Sequence, residues 1–212
     1  MAKAGRMFIA RHGETIFNAV GRMQGDGQIH TPLTRRGFGQ ADKMGAALAQ
    51  WLGTHQALEL WCSPAGRAQQ TLSVMAEHIG ADWHQRHVDA RLNEINVGSW
   101  TGQNYAEIRT EIGDFVCTRT GLFTQTAPDG EDYPAVAARL RDWLAGLDAV
   151  GADRLVVMHG MSSRVLRGVM LGLEPDRRFG VPVAEGLPQG TLVMIGGGQE
   201  QIIRLDATGT VE

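Results

Sequence analysis

Apolar and polar residues follow one another along the chain in blocks that predict strands and helices in turn. Met7–Ala10 is an apolar run that ends abruptly in Arg-His-Gly, which is typical of a buried strand entering a loop. Helical spacing of apolar residues follows over Gly37–Leu52, and a second apolar run, Ala57–Cys62, predicts another strand. Ser63 precedes a proline and so favours a helix start, with its side chain as the cap and the helix extending to Ile79.

The second half of the chain repeats this alternation. Apolar stretches predict strands over Trp83–Val88, Arg154–Met158, Thr191–Ile195 and Gln201–Leu205, and helical spacing predicts helices over Asn104–Phe115, Tyr133–Leu147 and Ser162–Leu171. A glycine-rich turn between the last two strands indicates a hairpin. The pattern predicts an α/β fold, a three-layer α/β/α sandwich with a mostly parallel mixed sheet and an antiparallel C-terminal strand pair. We expect one domain over residues 1–212, with 113–131 as a substrate-pocket insertion.

Composition and charge narrow the class of protein. The 212 residues are 43% hydrophobic and 20% charged, as in ordinary globular proteins. A formal net charge of −3 gives no electrostatic footprint for nucleic acid, and no apolar run is long enough for a membrane helix or a signal-peptide core. The two cysteines, Cys62 and Cys117, fit neither a disulfide framework nor zinc spacing. We therefore expect a cytoplasmic protein without metal or cofactor and without a nucleic-acid or membrane partner.

Candidate chemistry lies just past three of the predicted strands. In open α/β sheets, ligands bind beyond the carboxyl ends of the strands. The segments at those positions are Arg11 to Gly13, Ser63 to Arg67, and His159 with Gly160. Arginine, histidine and glycine together suit an anion, because guanidinium grips phosphate in a two-pronged geometry and glycine lets the backbone approach closely.

Other catalytic templates fail on spacing. The stretch after His159 lacks the second glycine of a serine-hydrolase elbow, and no histidine follows it in the chain. Four residues separate Cys62 from Arg67, where the cysteine-phosphatase loop needs five. Nucleotide-binding glycine loops are missing, and no ligand set completes the pair His84 and His87.

The remaining motifs resemble, in order, those of the histidine phosphatase superfamily, which has the phosphoglycerate-mutase-like fold. They span most of the chain and comprise Arg11-His12-Gly13-Glu14-Thr15, Gly21-Arg22-x-Gln24-Gly25, Pro32-Leu33-Thr34, Ser63-Pro64 with Arg67-Ala68-x-Gln70-Thr71, Leu92-x-Glu94, Gly98-x-Trp100-x-Gly102, Gly130-Glu131 and Val157-Met158-His159-Gly160. The sequence looks most like the hydrolytic branch, which includes α-ribazole phosphatases and broad-specificity phosphatases.

The resemblance implies a role for each site residue. His12 would be the nucleophile that forms a phosphohistidine, and Glu94 would protonate the leaving oxygen and then activate water. The phosphoryl oxygens would be held by Arg11, Arg67 and His159. Secondary contacts to phosphate or substrate would come from Asn18, Gln24, Gly25 and Gly160. Such a ring of cationic donors can supply the charge stabilisation that phosphoryl transfer needs without a metal.

One departure from the family separates hydrolase from mutase. Cofactor-dependent phosphoglycerate mutases carry Arg-His-Tyr-Gly after the catalytic glutamate, whereas Glu94 is followed by Ile-Asn-Val-Gly. We therefore expect a metal-independent phosphatase acting on a small phosphorylated metabolite. A mutase-type phosphotransferase and a non-catalytic scaffold that binds a phosphorylated ligand are the alternatives. Specificity is expected in Cys117–Gly130 and Gly25–His30, Trp100 is expected to be a packed aromatic, and the oligomeric state stays open, a homodimer included.

Overall fold

The computed structural model describes residues 5–26, 30–53, 58–147, 151–205 and 209–210. Within these ranges the strands are β1 Met7–Arg11, β2 Leu58–Cys62, β3 His87–Val88, β4 Asp153–Met158, β5 Leu192–Gly196 and β6 Gln199–Ile203. The helices are α1 Ile16–Ala19, α2 Arg35–Leu52, α3 Gly66–His78, α4 Tyr105–Ile112, α5 Tyr133–Ala145 and α6 Gly160–Met170, with 3-10 turns at Trp83–Gln85, Ala90–Leu92 and Gly98–Trp100. Ala57, placed in a strand by the sequence pattern, lies outside the described residues.

The strands form one mixed sheet in the order β3-β2-β4-β1-β5-β6. Strands β1 to β4 run parallel, while β5 is antiparallel to both β1 and β6. Ile9 on β1 stands opposite Val156 on β4 and Val193 on β5. The predicted mostly parallel sheet with an antiparallel C-terminal pair is confirmed, and the carboxyl ends of β1, β2 and β4 meet at one edge.

Helices cover both faces of this sheet because alternate strand residues point to opposite sides. On one face, Phe8 of β1 packs in a buried apolar cluster with Leu48 of α2 and Leu72 of α3. On the other face, Ile9 belongs to a cluster with Trp143 of α5 and with α6. The three-layer arrangement is therefore as predicted. No helix within the described residues is long and apolar enough to cross a membrane.

Two local predictions were wrong. Helix α3 begins at Gly66, and its N-cap is Ala65, which makes no side-chain cap bond. Ser63, the predicted cap, instead places its hydroxyl against His159. Of the predicted strand over 83–88, only His87–Val88 is in a strand, because residues 83–85 form a 3-10 turn in which the Asp82 side chain accepts from the N–H of His84. In both cases a contact made by one polar side chain decides the outcome.

Candidate active site

The ends of β1, β2 and β4 bring the predicted reactive residues together. Arg11 is the last residue of β1 and His12 follows it, while His159 comes directly after β4 and caps α6. The His12 and His159 ring centroids lie 5.2 Å apart, with the rings inclined at 64°. Residues that are 147 positions apart in the sequence thus form one cluster at the sheet edge.

His12 is held as a neutral imidazole with a defined tautomer. Its Nδ1 lies 2.7 Å from the Gly13 carbonyl oxygen, which can only accept, so Nδ1 carries the proton and Nε2 keeps its lone pair. Burial lowers the pKa of His12 well below 6.5, and the charges of Arg67 and Arg11 lower it further. His12 is only 3% exposed, although it follows the strand in a loop. The buried position is what favours the uncharged, nucleophilic form.

Two arginines border His12 with unused donors. Arg67 is 1% exposed; its Nη2 donates to the Gly25 carbonyl at 2.7 Å, and its Nε has no partner in the described structure. Arg11 donates from Nη1 to the Leu187 carbonyl at 2.7 Å, and its buried Nε likewise lacks a partner there. Burial lowers the pKa of Arg67 to about 10, so the group stays charged at neutral pH. Unpaired cationic donors beside a cavity are suited to an anion.

His159 is fully buried behind His12. Its Nε2 lies 2.6 Å from the Ser63 hydroxyl, and its Nδ1 has no partner among the described residues. Burial, followed by the charge of Arg67, lowers the pKa of His159 well below 6.5. Arg11, His12 and Arg67 line one cavity, the main cavity of the site, and His159 does not belong to its described lining. Its proposed contact to a phosphoryl oxygen therefore stays a prediction.

Glu94 reaches the site from the loop after the 3-10 turn at Ala90–Leu92. One carboxylate oxygen accepts from the N–H of Ser162 at 2.8 Å and the other from the N–H of Met161 at 3.0 Å. These are the first free N–H groups of α6, whose partial positive charge attracts a carboxylate. Glu94 also lines the cavity that His12 lines. The start of α6 therefore fixes the Glu94 carboxylate at the edge of this cavity.

The amide side chains of Asn18 and Gln24 present donors to the cavity. The Asn18 oxygen accepts from the N–H of Thr15 at 3.1 Å and from the Gln189 amide at 2.5 Å. The Gln24 oxygen accepts from the hydroxyls of Thr15 at 2.8 Å and Thr31 at 2.5 Å. Both residues line the cavity. Because both amide oxygens already accept hydrogen bonds, the NH₂ groups of Asn18 and Gln24 remain available as donors, and donors suit an anion.

The predicted glycines of the site are both close to arginines. The carbonyl of Gly25 receives Arg67, as described above. Gly160 opens α6, and a side-chain carbon there would lie 3.1 Å from Arg11 Cζ. A larger residue at this position would have to displace the guanidinium.

The cavity between these groups measures about 320 Å³. From the predicted pocket segment 113–131, Thr120, Gly121 and Phe123 line it. Trp100 is buried and packs against Phe115 and Phe123, so it is a packed aromatic as predicted. Of the second predicted specificity segment, residues 27–29 lie outside the described residues. The definition of 113–131 as an insertion stays a prediction.

Sequence reasoning missed some of the residues that shape this site. Ser63 belongs to a segment that the sequence places at the sheet edge, but it was interpreted as a helix cap and its contact to His159 was missed. Arg164 of α6 and the loop at Gly186 and Leu187 also line the cavity, and only the position of Arg164 five residues after His159 could have indicated this. Cys62 is buried, and burial raises its pKa to about 11, which excludes a ready thiolate.

A family comparison settles the relationship that these motifs indicate. The family model of the histidine phosphatase superfamily (branch 1) matches residues 7–206. The chain belongs to this superfamily. The resemblance noted in the sequence is therefore confirmed.

Sequence relatives within the superfamily include both phosphatases and mutases. The chain is 31% identical over 185 residues to a probable phosphoglycerate mutase, GpmB, of Yersinia enterocolitica, covering 82% of this chain and 79% of the relative. It is 33% identical over 167 residues to a 6-phosphofructo-2-kinase/fructose-2,6-bisphosphatase of Caenorhabditis elegans, covering 77% of this chain. The chain spans about a third of the length of that second relative, as the match covers 33% of it.

Solved structures of superfamily members share the fold. A mycobacterial glucosyl-3-phosphoglycerate phosphatase, described with VO3, is 26% identical with a TM-score of 0.72, covering 94% of this chain and 97% of that one. A putative alpha-ribazole-5'-P phosphatase from Escherichia coli is 22% identical with a TM-score of 0.71 and 98% coverage of both chains. The α/β fold predicted from the sequence is thus shared with phosphatases of this superfamily.

Proposed function

We propose that the protein is a phosphomonoester hydrolase that acts through a phosphohistidine at His12 and needs no metal. The observation that carries this proposal is the state of His12. It is a neutral imidazole whose Nδ1 is bound to Gly13, leaving Nε2 as a nucleophile beside the unpaired donors of Arg11 and Arg67. Neutral imidazole is nucleophilic near pH 7, and a covalent intermediate divides one difficult displacement into two easier ones.

In the first step, His12 Nε2 attacks phosphorus and the bond from phosphorus to the ester oxygen breaks. Arg11, Arg67 and the amides of Asn18 and Gln24 would stabilise the charge on the equatorial oxygens. The Nδ1–H bond to the Gly13 carbonyl would stabilise the positive charge that develops on the ring. Glu94 would give its proton to the departing alkoxide, so that the alcohol leaves neutral.

In the second step, water attacks the phosphohistidine and the phosphorus–nitrogen bond breaks. Glu94, now ionised, would take a proton from the attacking water, and His12 would return to its neutral form. The products are inorganic phosphate and the alcohol. The similar proteins are named for phosphorylated sugars and phosphoglycerates, which supports a small phosphorylated metabolite as substrate.

A second candidate activity is phosphoglycerate mutation. The 31% identity to probable mutases favours it. The residues that follow Glu94 favour hydrolysis, because they lack the Arg-His-Tyr-Gly of the cofactor-dependent mutases. The two activities differ in the acceptor of the phosphoryl group, which is water in one and a second substrate in the other.

Rapid quench with ³²P-labelled substrate tests the proposal directly. Wild-type protein should yield a labelled adduct that is labile in acid and stable in base, and His12→Ala should lose the adduct and several orders of magnitude in turnover. His84→Ala, an exposed histidine far along the sequence, is the matched control. Activity should persist in EDTA, and 3-phosphoglycerate should release phosphate faster than it isomerises. Turnover without an adduct together with an active His12→Ala would refute the mechanism, and faster isomerisation would favour the mutase.

A further inference from the structure

The buried arginines of the described chain fall into two pairs. Arg154 and Arg167 each meet a carboxylate, Glu59 at 2.7 Å and Glu200 at 2.6 Å. Arg67 and Arg164 are equally buried, but neither has a carboxylate within 4.0 Å among the described residues. Both of these unpaired arginines line the main cavity. The two buried arginines that line the cavity therefore have no ion-pair partner, whereas the two that lie away from it each have one.

Arg164 donates hydrogen bonds to two neutral carbonyls and forms no ion pair within the described residues. It lies on α6 and is 8% exposed; its Nε donates to the Ala184 carbonyl at 2.9 Å and its Nη1 to the Thr120 carbonyl at 2.6 Å. Within the described structure, its Nη2 makes no hydrogen bond. A buried charge with no carboxylate within 4.0 Å is costly, since neutral carbonyls replace only part of its hydration. Retaining such a group beside an open cavity is physically reasonable when a ligand supplies the missing charge.

The charge of the whole cavity leads to the same conclusion. Its described lining contains four arginines and one glutamate; the arginines are Arg11, Arg22, Arg67 and Arg164. A phosphate monoester carries close to two negative charges near neutral pH. With Glu94 protonated, as the proposed first step requires, a bound phosphate compensates two of these four arginines. Of the two arginines that remain, Arg22 is exposed and Arg164 is buried. The phosphate is already provided for by Arg11 and Arg67.

We propose that Arg164 forms a second anion subsite, so that the preferred substrates carry a carboxylate or a second phosphate on the alcohol side. This inference rests on the proposed hydrolase function and names its substrate class. Arg164 is four residues beyond Gly160 on the same helix, a rise of about 6 Å. A short linker of a few atoms can therefore join the two anionic groups.

Three phosphate esters of unbranched primary alcohols, whose leaving groups are all alkyl alkoxides, test this subsite. Propyl phosphate has no second anionic group, whereas 3-phosphooxypropionate carries a carboxylate and propane-1,3-diyl bisphosphate carries a second phosphate. Wild type should show kcat/KM about 10- to 100-fold higher for an ester with a second anionic group, which is the usual contribution of a charge-assisted hydrogen bond. The better of the two identifies carboxylate or phosphate as the second group. In Arg164→Gln this preference should fall to near unity, chiefly through KM.

Controls separate loss of charge from loss of fold. Arg141→Gln removes an exposed arginine of α5 and should leave the preference as in wild type. Arg164→Lys keeps the charge but loses the two-pronged geometry of the guanidinium, so it should retain part of the preference. If thermal unfolding shows that Arg164→Gln does not fold, Arg164→Lys is the variant that tests the subsite. Equal kcat/KM for all three esters in wild type, or a preference unchanged in both Arg164 variants, would overturn the subsite. Failure of all three esters to release phosphate would instead count against the proposed hydrolase function.

Discussion

In the proposed mechanism, Glu94 has two roles that require opposite protonation states. Its carboxylate accepts hydrogen bonds from the N–H groups of Met161 and Ser162, which hold it at the start of α6. Protonation of the leaving group in the first step needs the neutral acid, whereas activation of water in the second step needs the ionised carboxylate. The start of α6 therefore keeps one carboxyl group in place for both steps.

Replacement of Glu94 by glutamine should therefore affect esters according to their leaving group. An alkyl alkoxide needs a proton, whereas nitrophenolate hardly does. Glu94→Gln can keep an oxygen on Ser162, so the geometry survives while the proton is lost. Phosphoenzyme formation in single-turnover kinetics should slow by about 10²–10⁴-fold for alkyl phosphates and much less for p-nitrophenyl phosphate.

Glu131→Gln provides the comparison for this prediction. Glu131 accepts from Arg139 at 2.7 Å and does not belong to the described lining of the main cavity. Its replacement should therefore slow alkyl and aryl esters alike, and only slightly. Equal slowing of both esters by Glu94→Gln would mean that another group supplies the proton.

The sequence could predict residues whose position alone defines their role. His12 and Arg11 directly follow a recognisable strand, and the structure brings them to the expected edge. The prediction for Ser63 was wrong because a serine before a proline is a good cap, and only the approach of His159 from β4 diverts its hydroxyl. Arg164 was missed because the pairing of an arginine with a carboxylate depends on tertiary contacts that no spacing along the chain reveals.

At the level of elements, the loop after β1 is pressed against the start of α2. A side-chain carbon on Gly13 would lie 2.3 Å from the Gly37 carbonyl oxygen, and one on Gly37 would lie 2.1 Å from the Glu14 carbonyl oxygen. Backbone thus meets backbone without an intervening side chain. This contact holds the segment that carries His12, so α2 positions the proposed nucleophile although no side chain of α2 lines the described cavity.

Two glycines of α2 should respond in opposite ways to alanine. Gly37→Ala forces a carbon into the Glu14 carbonyl and should lower the free energy of unfolding by about 1–3 kcal/mol, the range for overpacking, and should reduce turnover as well. Gly39 lies two residues further, on the exposed side, where an added side-chain carbon would have no neighbouring atom within 4 Å. Gly39→Ala should raise the free energy of unfolding by about 0.5–1 kcal/mol, because alanine suits a helix interior better. Urea titrations of both variants check this, and a neutral Gly37→Ala would contradict the close contact.

Elements with a clear apolar face or run were predicted better than elements without one. The α2 and β4 patterns gave bounds within two residues of the structure, since each has one clearly apolar face or run. The segment 83–88 is an edge of the sheet and pairs over only two residues, so the cap made by Asp82 outweighs its weak strand pattern. Short elements depend on single contacts, and single contacts are not encoded in periodicity.

For the whole molecule, the distribution of charge matters more than its sum. The net formal charge is −3, yet the cavity is lined by four arginines and one glutamate. The same region buries two histidines in their neutral form. Folding therefore concentrates positive charge and excludes protons at one edge of the sheet. The site that would bind an anion therefore contains two histidines whose protonation opposes folding, so the free energy of unfolding is linked to the state of this site.

This linkage predicts a loss of stability at mildly acidic pH. The pKa values of His12 and His159 lie well below 6.5 in the folded protein, so below pH 6.5 the unfolded chain binds protons that the folded one does not. Stability then falls as pH falls, with a slope that approaches about 2.7 kcal/mol per pH unit for two such groups. The pKa values of Asp89 and Asp176 are lowered from 3.8, so these carboxylates contribute only at more acidic pH.

Chemical unfolding at intervals between pH 7.5 and 5 measures that slope, and two histidine variants locate its source. His12→Asn removes one of the two groups and should roughly halve the slope, to about 1.4 kcal/mol per pH unit. His84→Asn removes an exposed histidine and should leave the slope as in wild type. A flat profile in wild type between pH 6.5 and 5 would mean that the folded protein takes up these protons. In that case His12 would be cationic in mild acid, and the neutral nucleophile on which the proposed chemistry depends would be restricted to higher pH.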